Sequence, residues 1–313
     1  MTGASTAARR ILVLTDGKAG HENQSKAFVR ALGCECDLMP VRFKGKLAKA
    51  LSYAADRLGV VSLGLLSGVE DVGAVAQRGY AAVVGTGSGT FYAAKALARR
   101  LGVRCGVVLY PRGYRISGFD CVLAPSFDRP EKSANVVELP ANLVAADADF
   151  YESGVAAFRE RTDVVPETAV IVGGPNKCST MSADWMRARL DEIFAAPGTK
   201  AVTTSRRTPP DVEAVVDSYP WDYKLIFSRD KFNPIPAFVS LAKRLYVTAE
   251  STGMLSEACT FGSAEVVALD NLLPGPSKFR RFVESLRAGG YVDGARKIDL
   301  SGEFAAARRL MGL

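Results

Sequence analysis

The chain has 313 residues, of which 48% are hydrophobic and 23% are charged, and its formal net charge is +7. This composition is that of a soluble globular protein with length for two domains of ordinary size. The longest apolar stretch, near residues 60–66, is too short to cross a bilayer, and the polar segment 1–10 lacks the pattern of a signal peptide. We therefore expect a cytoplasmic protein, and its charge favours anionic partners.

The numbers of His and Cys residues and the distribution of Lys and Arg restrict the classes of cofactor and partner that we expect. The sequence contains one histidine, His21, and six cysteines without a CxxC pair, so we expect reduced thiols and no metal site. Lys and Arg are scattered and show no aromatic–basic alternation, which argues against nucleic acid. We expect no bound cofactor.

In the first half of the chain, short apolar segments alternate with helical periodicity. Strands are predicted at 11–15, 36–41, 80–85, 104–110, 119–124 and 135–139, with helices at 43–58 and 91–101. This alternation predicts a doubly wound parallel sheet.

The loop TDGKAGHENQS follows the first strand and carries polar side chains into a helix. Open α/β sheets place ligands at the carboxyl ends of their strands, so Gly20, Asn23 and Gln24 are candidate acceptor-binding residues. Histidine is the residue type whose unperturbed pKa suits proton transfer near neutrality, so His21 is the candidate general base, with Asp16 as the alternative. A turn whose polar residues only cap the helix is the competing interpretation.

A second glycine-rich loop, GTGSGT, follows the predicted strand 80–85. The spacing of its glycines differs from the dinucleotide fingerprint, which disfavours NAD. Gly87 is a further candidate on the acceptor side, although ordinary turn glycines would give the same pattern.

The predicted helix 43–58 places Leu47, Leu51, Ala54 and Leu58 on one face, with lysines around it. A basic amphipathic element of this kind predicts peripheral contact with an anionic membrane on its cytoplasmic face. Ordinary packing with solvated lysines is the alternative.

The second half repeats the α/β pattern. We place the boundary in the charged segment 145–167, giving an acceptor domain at 1–155 and a nucleotide-donor domain at 156–313. The pair Asp147 and Asp149 is interpreted as linker surface. Strands are predicted at 168–172, 200–204 and 223–228, and helices at 182–196, 276–288 and 304–313.

Two loops of this half are candidates for phosphate binding. Gly173 and Gly174 end the predicted strand 168–172, and Arg206 and Arg207 follow the strand 200–204. Guanidinium groups bind phosphate in a bidentate manner, so the two arginines are a candidate diphosphate grip, with solvated surface arginines as the alternative.

The segment 244–270 reads as strand, polar turn, helix and strand. Ser251 or Thr252 is expected to cap the helix, and Gly253 lets a phosphate approach its N-terminus. Glu257 follows one turn later, on a face with Ser256 and opposite the predicted core residue Met254, at a distance suited to ribose hydroxyls. A solvent-facing Glu is the alternative.

Four stretches, TDGKAGHENQ, VIVGGPNK, TTSRRTP and VTAESTGMLSEA, resemble bacterial relatives of the plant mitochondrial-fission family, a group regarded as glycosyltransferases of the GT-B fold. STGMLSEACTFGSAEVV is more distantly similar to the donor segment of MurG-type N-acetylglucosaminyltransferases. That similarity implies that Glu257 holds the ribose, with Ser251, Thr252 and Gly253 near the diphosphate, and that His21 in AGH is catalytic. Glu250 and Phe127 depart from the expected Asp and His.

Together these features predict an α/β protein of GT-B type, with two Rossmann-like domains whose parallel sheets face each other across a cleft. We expect metal-independent transfer of a sugar from a nucleotide diphosphate to an acceptor hydroxyl, the acceptor being lipid-linked or a cell-envelope glycan. A nucleotide-sugar epimerase and a non-catalytic adaptor that binds a membrane or a partner remain as alternatives.

Overall fold

The computed structural model describes residues 9–145 and 147–313. Residues 1–8 and Ala146 lie outside the described residues, and residues 1–8 form most of the segment 1–10 to which the signal-peptide expectation applies. The chain divides into two compact units. One comprises Met1–Leu139 and Leu300–Leu313, and the other comprises Pro140–Asp299.

The first unit is built on a six-stranded parallel sheet with the order β2-β1-β5-β6-β7-β8. A separate antiparallel pair, β3 with β4, belongs to the same unit. The strands are β1 (Arg10–Thr15), β2 (Glu35–Pro40), β3 (Arg42–Phe43), β4 (Leu66–Ser67), β5 (Ala82–Thr86), β6 (Arg104–Val108), β7 (Cys121–Pro125) and β8 (Val136–Leu139). The helices are α1 (Ala19–Ala31), α2 (Lys46–Arg57), α3 (Val72–Gln77), α4 (Phe91–Leu101) and the C-terminal α11 (Ser301–Met311).

The second unit contains a five-stranded parallel sheet with the order β11-β10-β9-β12-β13. Its strands are β9 (Thr168–Ile171), β10 (Lys200–Thr203), β11 (Tyr223–Leu225), β12 (Arg244–Thr248) and β13 (Glu265–Leu269). Its helices are α5 (Ala148–Arg159), α6 (Ala183–Phe194), α7 (Pro210–Asp217), α8 (Ile235–Leu241), α9 (Thr252–Thr260) and α10 (Lys278–Ala288). The predicted parallel α/β architecture is confirmed for both halves of the chain.

Each sheet has a point at which the strand order reverses. In the first sheet this point lies between β1 and β5, and in the second it lies between β9 and β12. Crevices outside the carboxyl ends of such strands are the usual ligand sites of open α/β sheets. The loops after β1, β5, β9 and β12 therefore have the positions expected of binding loops.

The structure differs from the sequence-based elements at several places. Helix α1 begins at Ala19, so His21, Asn23 and Gln24 are helical rather than in a loop, because Lys18 O already accepts hydrogen bonds from two backbone N–H groups of this turn. The segment interpreted as linker contains α5, whose Asp147 side chain accepts from the backbone N–H of Phe150. The short helices α3 and α8 and the strand pair β3 and β4 have no predicted counterpart.

The unit boundary also differs from the sequence-based division at 155/156. Helix α5 packs on α8 of the second unit, and the C-terminal α11 returns to β6, β7 and β8 of the first. Within the described part of the chain, no helix is both long enough and apolar enough to span a membrane.

Candidate functional site

A histidine–carboxylate pair lies at the point of strand reversal in the first unit. His21 Nδ1 is 3.1 Å from both Oδ1 and Oδ2 of Asp16, and Lys18 Nζ donates to Asp16 Oδ2 at 2.9 Å. Burial alone would raise the pKa of Asp16, but the hydrogen bond from Lys18 and the charge of His21 outweigh it, so its pKa lies below the ordinary value. Because an ionised carboxylate only accepts hydrogen bonds, His21 Nδ1 donates to Asp16, and in the neutral imidazole this leaves Nε2 with a lone pair.

The loop after β5 is shaped around this pair. Gly87 has φ +82°, and a β-carbon there would lie 2.3 Å from Cε1 of His21. At Gly89 a β-carbon would lie 2.8 Å from Asp16 Cβ. Glycine at these positions is therefore needed for the loop after β5 to pack closely on Asp16 and on His21 of α1, a reason that sequence spacing did not reveal.

The other residues predicted on the acceptor side have different surroundings. Gly20 and Asn23 are exposed in the first turns of α1, whereas Gln24 is half-buried and its Oε1 atom has no hydrogen-bond partner among the described residues. Near them, the buried hydroxyls of Ser25 and Thr86 hydrogen-bond at 2.6 Å and join α1 to the end of β5. The first unit thus brings together Asp16, His21, Gly87 and the exposed start of α1.

In the second unit, helix α9 begins at Thr252 with Ser251 as its N-cap residue, but no side chain of the described chain caps it. The expected hydroxyl cap is therefore wrong. The hydroxyl of Ser256, one turn further along, donates a hydrogen bond to the backbone carbonyl oxygen of Thr252. This bond directs the Ser256 hydroxyl toward the helix backbone. A β-carbon at Gly253 would contact nothing within 4 Å, so the start of α9 is open to an approaching group.

The face of α9 that was predicted to lie opposite the core is partly buried. Ser256 is inaccessible, and its Oγ accepts from the backbone N–H of Asn142. Glu257 is half-buried and accepts a hydrogen bond of 3.0 Å from the Tyr151 hydroxyl, and burial raises the pKa of the Glu257 carboxyl. Met254, expected in the core, lines a cavity instead.

Glu250 organises the loops around this helix. Its Oε1 accepts from the backbone N–H of Gly174 at 2.8 Å, and its Oε2 accepts from Asn271 Nδ2 at 2.8 Å. A β-carbon at Gly173 would clash with Glu250 Oε1, and one at Gly174 would clash with the backbone of Arg207. The two glycines therefore allow the loops after β9, β10 and β12 to pack against one another.

A cavity of about 300 Å³ opens beside these loops. Three cations line it: Arg206, Arg207 and Lys231. Among the residues that the structure describes, none of the three has a carboxylate partner, whereas Arg229 nearby forms an ion pair of 2.7 Å with Asp217. Uncompensated cations around a cavity favour an anionic ligand.

The apolar part of the cavity comes from residues that sequence reasoning missed. Phe227 and Phe232 lie in the connection between β11 and α8, and Met254 adds the first turn of α9. Flat apolar side chains beside cations are suited to a ring next to a phosphate. The segment FSRDKFNP has no helical or strand periodicity, and the one feature of its sequence that indicates a binding site is a lysine between two aromatic residues.

Sequence and structure comparisons extend these observations. The family model for Mitochondrial fission ELM1 matches residues 19–306. The chain is similar to the Mitochondrial fission protein ELM1 of Arabidopsis thaliana, with 24% identity over 368 residues that cover 93% of this chain and 85% of the relative.

Among solved structures, a Listeria monocytogenes protein assigned as a UDP-N-acetylglucosamine 2-epimerase aligns with a TM-score of 0.56 and 13% identity, over 97% of this chain and 91% of that one. A UDP-glucosyltransferase from Polygonum tinctorium aligns with a TM-score of 0.52 and 9% identity, over 98% and 92% of the two chains. At this identity the similarity shows the fold, which is the GT-B fold expected from the sequence. The extent of the family match shows that the chain belongs to the Mitochondrial fission ELM1 family.

Proposed function

We propose that the protein transfers a sugar from a nucleotide diphosphate sugar to an acceptor hydroxyl. The cavity with three cations that lack carboxylate partners among the described residues carries this proposal, because a nucleoside diphosphate combines the negative charge and the ring that such a cavity accommodates. The GT-B fold, shared with enzymes whose names specify UDP-sugars, supports the same choice.

The donor is assigned to the second unit. Arg206, Arg207 and the open start of α9 at Ser251, Thr252 and Gly253 bind the diphosphate, where the helix dipole favours negative charge. Gly173 and Gly174 keep the adjoining loops close, and Glu257 accepts hydrogen bonds from the ribose hydroxyls. The same cations stabilise the charge that grows on the departing diphosphate, so transfer requires no metal.

The acceptor is assigned to the first unit. His21 Nε2 removes the proton of the acceptor hydroxyl as its oxygen attacks the anomeric carbon, and the bond from that carbon to the diphosphate oxygen breaks. Asp16, whose lowered pKa makes it a weak base, orients the imidazole and stabilises its charged form. Gly20, Asn23, Gln24 and Gly87 border the acceptor, which we propose is a lipid-linked sugar or a cell-envelope glycan.

Donor binding is tested by thermal shift with UDP-, GDP-, CMP- and dTDP-sugars. A donor that binds the native state raises the melting temperature, and Arg206→Ala with Arg207→Ala should reduce its affinity about tenfold or more. Arg229→Ala, which removes a cation already paired with Asp217, is the control and should leave affinity unchanged. The absence of a shift with every nucleotide would favour the non-catalytic adaptor.

The catalytic assignment is tested with Gly87→Ala. The new methyl group displaces His21, so release of nucleoside diphosphate in the presence of a lipid and glycan extract should fall while donor affinity is retained. Gly79→Ala has the same backbone penalty of about 1 kcal/mol at φ +68° but no contact within 4 Å, and should retain turnover. Conversion of the donor to a free or epimerised sugar without an acceptor would identify an epimerase instead.

A further inference from the structure

Helix α2 has its apolar face on the outside. Leu47, Leu51 and Leu58 recur on one side and are 73%, 49% and 81% exposed, whereas Ser52 and Asp56 on the opposite side are buried. A helix at the surface of a globular protein normally has the reverse arrangement. The exposed stripe is about 16 Å long.

The inner face of α2 is held by polar contacts as well as by apolar packing, in which Tyr53 stacks on Tyr114 with ring centroids 4.4 Å apart. Lys95 Nζ donates to Asp56 Oδ1 at 2.7 Å, and the backbone N–H of Arg115 donates to Asp56 Oδ2 at 2.6 Å. The Ser52 hydroxyl bonds to the Tyr114 hydroxyl at 2.8 Å. With its polar groups satisfied inside, the helix keeps its leucines outward in the folded protein.

The charge around this apolar stripe has one sign. Lys44, Lys46 and Arg57 are exposed and have no carboxylate partner among the described residues. From residue 41 to residue 66 the one acidic residue is Asp56, which is buried against Lys95. Surrounding cations complement an anionic surface and would repel a second copy of the same face.

A cavity of about 440 Å³ adjoins the C-terminal end of α2. Arg99 and Arg100 line it together with Val61 and Leu63, and Arg99 donates to the carbonyl of Gly59 just after the helix. Neither arginine has a carboxylate partner in the described ranges. Two guanidinium groups beside apolar side chains fit a phosphate group that has hydrocarbon next to it.

We propose that the outer face of α2, together with the Arg99 and Arg100 cavity, docks the protein on a bilayer that contains anionic phospholipid. Leu47, Leu51 and Leu58 enter the boundary of headgroups and acyl chains, and the cations bind lipid phosphates. The docking needs no donor nucleotide, so its outcome is separate from that of the proposed transferase activity.

The test is co-sedimentation of the full chain with vesicles of phosphatidylcholine alone and of phosphatidylcholine mixed with phosphatidylglycerol. We expect the mixed vesicles to bind about tenfold more strongly or better, with affinity falling as salt rises. Leu47→Gln, Leu51→Gln and Leu58→Gln combined should lower binding about tenfold or more without lowering the melting temperature, since these side chains are largely exposed in the fold.

Two sets of control variants distinguish the outer face of α2 from apolar and basic residues elsewhere on the surface. Val165→Gln with Leu273→Gln removes exposed apolar side chains elsewhere and should not change binding. Lys44→Gln, Lys46→Gln and Arg57→Gln should weaken binding to mixed vesicles more than Lys132→Gln, Arg159→Gln and Lys278→Gln, which change the net charge equally. Equal binding to both vesicle types, no binding to either, or a leucine-dependent dimer without vesicle binding would overturn the proposal.

Discussion

Glu257 is partly buried, and among the described residues its carboxylate accepts one hydrogen bond, from the Tyr151 hydroxyl. Burial raises its pKa above the value of about 4.3 for an exposed Glu, because the charged form loses solvation. The raised pKa of Glu257 therefore contributes to the free energy of unfolding of the nucleotide-free protein. This contribution is fully present below a pH of about 4.3 and is lost as pH rises through the folded-state pKa.

A ribose hydroxyl donates best to the ionised carboxylate, so the affinity for nucleotide should change in the opposite direction. We expect affinity to fall as pH is lowered through the raised pKa of Glu257, while the free protein gains stability over the same interval. Isothermal titration calorimetry of wild type and Glu257→Gln across this interval measures the difference. Parallel pH profiles for the two proteins would show that Glu257 does not contact the nucleotide.

At the scale of an element, the start of α9 is the feature on which the proposed donor binding depends. Gly253 is the second residue of this helix, and Gly302 is the second residue of α11; a β-carbon at either position would contact nothing within 4 Å. Alanine at either position should leave the free fold intact or stabilise it by about 1 kcal/mol, because Ala is the better helix former.

Of the two variants, only Gly253→Ala should lower the affinity for the donor nucleotide. A methyl group at the start of α9 occupies the space through which a diphosphate reaches the backbone N–H groups, so donor affinity should fall about tenfold. Thermal melts with and without nucleotide compare the two variants directly. If nucleotide raised the melting temperatures of Gly253→Ala and Gly302→Ala equally, the diphosphate would not bind at the start of α9.

Several elements and the positions of the candidate-site loops could be predicted from the sequence because their signals are local. Apolar strands followed by polar or glycine-rich turns identified the loops after β1, β5, β9, β10 and β12. The packing of Gly87 on His21 and of Gly174 on Arg207 could not be predicted, because each contact joins segments that are distant in sequence. Helix α2 shows a related limit: its apolar periodicity is correct, but periodicity does not reveal which face is buried.

At the scale of the whole molecule, the C-terminal helix α11 links the end of the chain to the first unit. Ala307 and Met311 are buried, and a β-carbon at Gly106 in β6 would lie 3.1 Å from Met311 Sδ. A division of the chain at 155/156 would instead assign this helix to the second unit. The sequence of α11 is amphipathic and contains no indication of which sheet receives it.

Met311→Ala tests the assignment of α11 to the first unit. Removing this buried side chain should cost about 2–5 kcal/mol and open the strands it covers. Hydrogen exchange followed by mass spectrometry should therefore become faster in β6, β7 and β8 and stay unchanged in β9 to β13. Arg309→Ala, an exposed change in the same helix, should leave both sets of peptides unchanged. Faster exchange confined to β9–β13 would place α11 on the second sheet, because loss of a buried contact is felt first in the elements that made it.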